Sequence, residues 1–164
     1  MFNVGILTVS DKGSRGERED LSSKAIIRSL APLGVKVTQQ DIVPDEAHLI
    51  ARKLEEWADG GTVDLILTTG GTGLAPRDVT PEATQSIIDK EVPGFAEAMR
   101  AYGMTKVPTA MLSRATSGVR NRTLIINLPG SPKAVTEGIE AIIKALPHAI
   151  ETIKGKVEDC GTAH

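Results

Sequence analysis

Aromatic residues make up only 2% of the 164-residue chain, with one Trp, one Tyr and two Phe. Proteins that grip single-stranded nucleic acid stack bases on aromatic rings, so this scarcity argues against such a platform. The formal net charge of −2 offers no basic footprint for a phosphate backbone, and an anionic ligand must find locally positive groups instead. A single cysteine, Cys160, excludes an intramolecular disulfide and suits a reducing cytosol. The three histidines, His48, His148 and His164, are scattered without metal-ligand spacing, which argues against zinc. No apolar run reaches membrane-spanning length, and the N-terminus enters a strand pattern at Phe2 without a signal-peptide arrangement. The expectation is a cytoplasmic protein with no nucleic-acid or membrane partner.

Several catalytic signatures are missing as well. No serine sits in a G-x-S-x-G elbow, and Cys160 lies in the tail, so a Ser or Cys hydrolase is not expected. The glycine-rich stretch TTGGTGLAPRDVTPEAT (68–84) lacks the Gly-Lys-Ser/Thr end of a P-loop. Nor do its glycines follow the G-x-G-x-x-G spacing of a dinucleotide site.

What is present is an alternation of strand and helix patterns. NVGILTVS (3–10), VKVTQQDIV (35–43), VDLILTT (63–69) and TLIINL (123–128) read as strands, three of them apolar enough to be covered on both faces. Between them run helical stripes: Leu21 to Leu33, Ile50 to Ala58, Ala83 to Ile88, 93–103, Val135 to Leu146, and a last segment from Pro147 to about Lys154. Thr80-Pro81 resembles an N-cap followed by proline at the first helical position. The stretch 109–122 reads mostly as loop, with a short strand at its start. Length and pattern give one α/β domain over 1–155 with a mostly parallel sheet, and a poorly ordered tail over 156–164.

In such folds ligands bind outside the carboxyl ends of the strands. That directs attention to Ser10-Asp11, Pro44-Asp45-Glu46, the glycine-rich stretch and Asn127 to Lys133. Gly70, Gly71 and Gly73 allow close approach of backbone amides to a phosphate, and the threonine hydroxyls add donors. A strand-to-helix turn accounts for one or two of those glycines. Asp78, beside Arg77, reads equally as half of a solvated loop pair, as a helix-end charge, or as a ligand for a hard cation. Asp45 reads equally as the N-cap of the second helix or as the companion carboxylate, since Mg²⁺ is commonly held by one or two carboxylates plus substrate phosphates. In PGSPK (129–133) a helix start beside Lys133 offers a second anion site, or simple helix initiation. Ser113-Arg114 offers a hydroxyl and a guanidinium for an anion or polar ring.

Together, TTGGTG with RDVTPEAT (68–84), PGFAEAMR (93–100), LSRATSGV (112–119) and NLPGSPKA (127–134) resemble the molybdopterin-binding family. Within it the chain is most similar to the MogA-type adenylyltransferases, to which the G domain of gephyrin is related. The likeness runs from about Asn3 to Gly155. One departure falls in the first loop, where Ser22-Ser23 replace a small residue followed by glycine. The resemblance implies a three-layer α/β/α fold, usually trimeric. It implies transfer of AMP from ATP to the terminal phosphate of molybdopterin with Mg²⁺, releasing pyrophosphate, and hand-over of the product to a molybdate-insertion protein. On this reading Asp45 and Asp78 are the catalytic carboxylates acting through Mg²⁺. Substrate contacts come from Ser10, Asp11, Thr69, Gly70, Gly71, Thr72, Gly73, Glu97, Ser113 and Arg114, with Asn127, Pro129, Gly130, Ser131 and Lys133 as a second wall. The alternatives are a MoaB-type paralogue and a non-catalytic pterin carrier.

Overall fold

In the computed structural model, which describes residues 1–156, the continuously apolar runs become the inner strands of a six-stranded sheet. β1 (Asn3–Val9), β3 (Leu65–Thr69) and β6 (Thr123–Leu128) are buried along nearly their whole length. β2 (Lys36–Val43) alternates more and lies at one edge, half exposed. β4 (Lys90–Glu91) closes the other edge beside β5 (Ser117–Arg120), giving the order β2-β1-β3-β6-β5-β4. β2, β1, β3 and β6 run parallel, and only β5 runs against its neighbours.

Helices cover both faces, as buried parallel strands require. One layer holds α2 (Leu21–Leu30), α5 (Gly94–Met104), α6 (Pro132–Ile142) and α7 (Leu146–Ile153), packed on Val4, Ile6, Leu65, Leu67, Leu124 and Ile126. The opposite layer holds α3 (Ala47–Asp59) and α4 (Thr80–Ile87), packed on Leu7, Val9, Ile66 and Ile125. The single Trp57 of α3 lies across Gly5 of β1, where a Cβ would stand 2.9 Å from the ring. Each fully buried Leu or Ile of these layers contributes about 1.5–3 kcal/mol relative to exposure.

The structure departs from the sequence reading at four places. A one-turn helix, α1 (Asp11–Ser14), follows β1, held by the Ser10 side chain accepting from the Gly13 amide. The strand expected at the start of 109–122 lies at its end, because β5 pairs back onto β6 through a tight turn with Asn121 at φ 52°. The start of that stretch, Pro108–Leu112, is a 3₁₀ helix. Thr80 is not an N-cap: Val79 occupies that position, and the Thr80 hydroxyl donates to the Gly70 carbonyl at 2.9 Å. Of the tail, residues 157–164 lie outside the described residues.

The connectivity creates the crevice. From β1 the chain moves outward to β2, whereas from β3 it moves to the opposite half of the sheet. Neighbouring strands whose connections diverge leave an opening at their carboxyl ends.

Candidate active site

A cleft of about 690 Å³ fills that opening. Its floor comes from the carboxyl end of β1 through Ser10, from Thr69 to Gly71 after β3, and from Gly130 to Pro132 after β6, with Asp45 entering after β2. Arg18 to Ser22 form its rim. The N-termini of two helices open into it. α2 is capped by Asp20, which accepts from the Ser23 amide at 3.0 Å, and α6 by Ser131, which accepts from the Ala134 amide. Two positive dipole ends with free first-turn amides favour an anion between them.

The glycine-rich loop supplies further donors. Gly70 and Gly71 adopt φ of 97° and 69°, a region that side chains disfavour. Gly70 also presses against the Val9 carbonyl, and a Cβ on Gly130 would stand 3.4 Å from the Gly70 Cα. A Cβ on Gly73 would stand 2.8 Å from Asp78 Oδ2. Gly70 and Gly71 are therefore demanded by the fold, whereas Gly73 meets only the Asp78 side chain, in keeping with a turn that explains one or two of the three. The ligand-facing property lies in the amides themselves. Those of Gly71, Thr72, Gly73, Gly130 and Ser131 make no hydrogen bond among the described residues. Two of the threonine hydroxyls, expected as donors to a ligand, are committed within the protein. Thr69 donates to the Pro129 carbonyl at 2.6 Å, and Thr80 to Gly70. Thr72 is buried.

The acids occupy the neighbouring loops. Asp45 Oδ2 accepts from the Asp11 amide at 2.8 Å, and its own amide donates to Asp11 Oδ1 at 3.0 Å. This excludes the N-cap alternative for Asp45, since Glu46 holds that position. Asp11 also receives two bonds from Arg77, at 2.6 and 3.0 Å. The Arg77 bonds first, and the Asp45 amide second, hold the Asp11 carboxyl at about 2. Burial pushes the Asp45 carboxyl up, opposed by the bond from the Asp11 amide and reinforced by the charges of Asp11 and Asp78. Asp78 accepts from the Ala75 amide at 2.9 Å. Arg77 pairs with Asp11 and Glu46 rather than with its sequence neighbour Asp78. Neither Asp45 nor Asp78 has a salt-bridge partner among the described residues. No cluster of three potential metal ligands occurs among those residues. Asp45 lines the cleft and Asp78 lies on the adjoining loop without lining it; carboxylates without a salt-bridge partner are the kind of donor that a cation shared with substrate phosphates uses.

A second cavity of about 310 Å³ shares Ser131 with the first and is lined by Met99, Arg100, Ser113, Pro129 and Glu137 among others. Other expected contacts fall elsewhere. Asn127 is fully buried: its Nδ2 donates to Thr68 and Thr84, and its Oδ1 accepts from the Thr116 amide. It belongs to the core under the cleft, a correction to its reading as a wall residue. Arg114 donates to the Gly73 and Asp78 carbonyls at 2.8 and 2.7 Å and pairs with Glu82, so its guanidinium serves the loop instead of a ligand. Glu97 and Lys133 are exposed on α5 and α6 and line neither cavity. The sequence reading missed Arg18, Asp20 and Ser22. Asp20 was detectable as a cap ahead of the Leu21 stripe. The bond from Ser22 to the Gly130 carbonyl, 108 residues away, was not.

A family model described as a probable molybdopterin binding domain matches residues 5–148. The chain belongs to that family. The molybdopterin adenylyltransferase of Helicobacter pylori strain J99 is 46% identical over 156 residues, covering 94% of this chain and 89% of the relative. That of Escherichia coli K12 is 37% identical, covering 94% and 86%. Among solved structures, the molybdopterin biosynthesis enzyme MoaB of Thermus thermophilus superposes with a TM-score of 0.90 at 56% identity, covering 97% of this chain and all of the other. The match to the molybdopterin-binding family spans every loop that contributes to the cleft.

Proposed function

We propose that this protein is a molybdopterin adenylyltransferase, joining AMP from ATP to the terminal phosphate of molybdopterin with release of pyrophosphate. The observation that carries the reading is the cleft itself: free amides and two helix N-termini converge on a space lined by Asp45, with Asp78 on the adjoining loop after β3. Similarity to adenylyltransferases over nearly the whole chain supports it.

In the proposed step an oxygen of the pterin's terminal phosphate attacks the α-phosphorus of ATP. The bond from that phosphorus to the bridging oxygen breaks, and pyrophosphate leaves with the electron pair. The nucleophile is already ionised near neutral pH, so no Ser, Cys or His need be activated. The chain's task is positioning and charge neutralisation. The amides after β3 and β6 bind phosphate oxygens, and the helix ends offset the charge. Asp45 and Asp78 would hold Mg²⁺, which when bound neutralises charge on the transferring and leaving phosphates. The product would pass to a molybdate-insertion protein in the cytoplasm.

Incubation with ATP, Mg²⁺ and molybdopterin, followed by separation of the products, is expected to yield adenylated molybdopterin and pyrophosphate. Asp78→Asn is expected to reduce transfer by at least about 100-fold while pterin affinity is retained, as removal of a transition-state contact implies. Tight pterin binding without product from the unaltered protein would establish the carrier reading instead. A MoaB-type paralogue with the same chemistry is the second reading, favoured by the 56% identity to the Thermus protein.

A further inference from the structure

Arg77 and Arg114 grip the two loops that carry the acids, and neither lines the cleft. Arg77 Nε and Nη2 bind Asp11, and Nη2 also reaches Glu46 at 3.0 Å. Asp11 in turn exchanges amide-to-carboxylate bonds with Asp45. One guanidinium thus fixes both the residue that follows Asp45 in the chain and the residue that bonds its carboxylate. Arg114 stands in the same relation to Asp78. Its Nε and Nη2 donate to the Gly73 and Asp78 carbonyls, its Nη1 pairs with Glu82, and its amide donates to the Thr72 carbonyl at 2.9 Å. A planar fork can hold acceptors on separate segments at once, which a point-like ammonium cannot.

We propose that Arg77 and Arg114 are positioning residues, one for each acid: Arg77 orients Asp45 through Asp11 and Glu46, and Arg114 orients Asp78 through the backbone of its loop. The kinetic consequence rests on the adenylyl-transfer reading; the structural consequence does not. Misplacement of a reacting group by about 1 Å costs on the order of 100-fold. Arg77→Ala and Arg114→Ala are therefore expected to lower kcat by about 10- to 100-fold, with KM for both substrates changed by less than about threefold. Arg→Lys at either position is expected to restore little of that loss.

Hydrogen exchange gives the independent readout. Arg77→Ala is expected to speed exchange at the Asp11 and Asp45 amides and leave Ala75 and Asp78 unchanged, and Arg114→Ala to do the reverse. That crossed pattern, with kcat lowered, supports the proposal. Unchanged exchange at the paired amides overturns it, as does a raised KM with kcat intact, which marks a substrate contact. Should Arg114→Ala accelerate exchange throughout β1 and β6, the fold itself has loosened, and Arg114→Gln takes its place in the same measurement. If the unaltered protein transfers no AMP, the adenylyl-transfer reading fails while the exchange pattern still decides whether the arginines act as clamps.

Discussion

Asp11, expected as a substrate contact, does not line the cleft and is engaged by Asp45 and Arg77 instead. Its carboxylate is bound by Arg77 and by the Asp45 amide, which places its folded value at about 2 against an ordinary 3.8. A depressed carboxyl stabilises the fold above its unfolded value, and that stabilisation disappears as pH falls toward the folded value. Thermal melts at pH 6 are thus expected to place Asp11→Asn below the unaltered protein, with the gap closing between pH about 4 and about 2. A gap that keeps its full size at pH 2 would show that the lost stability lies in packing and not in charge. Asn127 teaches the opposite lesson about residue types. An asparagine at a strand end in a family motif reads as a ligand contact, yet its amide bonds Thr68, Thr84 and the Thr116 backbone under the floor of the cleft. Satisfying those buried groups is reason enough for its presence.

At the level of elements, α6 joins stability to the candidate site, since Ser131 caps its N-terminus and lines both cavities. Ser131→Ala is expected to lower unfolding free energy by about 1 kcal/mol, measured by urea denaturation. A loss below about 0.3 kcal/mol would mean that water replaces the cap, so that the hydroxyl serves the ligand alone. The strands and long helices were legible because their apolar spacing follows directly from burial on one or two faces. Elements of two to four residues, α1 and β4, are too short to carry a period. The short strand in 109–122 was misplaced because partnership with β6 decides it, not its own composition. The site was legible in outline through loops at strand ends. Its rim was not, because Ser22 meets Gly130 only after the whole sheet has assembled.

For the molecule as a whole, the distribution of apolar surface bears on assembly. Leu74, Met104, Val107, Met111 and Leu112 are between 45% and 67% exposed. They fall on the β3–α4 loop, the end of α5 and the 3₁₀ turn, segments joined where Arg114 bonds Thr72 and where α5 packs on that turn. Clusters of large exposed apolar residues mark interaction surfaces. We propose these residues as the contact between copies in the trimer that the family resemblance implies. Met111→Glu combined with Val107→Glu is expected to convert a trimer to monomers in light scattering, and an unaltered mass would move the contact elsewhere.

The contact between Gly70 and Gly130 has a longer reach. Where Gly70 and Gly130 meet, the wall of the cleft is main chain, so no side chain at those two positions shapes it. A side chain at Gly70 would meet the Val9 carbonyl in a backbone conformation that side chains disfavour, so replacement there is costly. Differences in preferred substrate between related chains are then expected at lining positions whose side chains are not committed within the fold, such as Arg18, rather than at Asp20, which bonds Thr8 and caps α2.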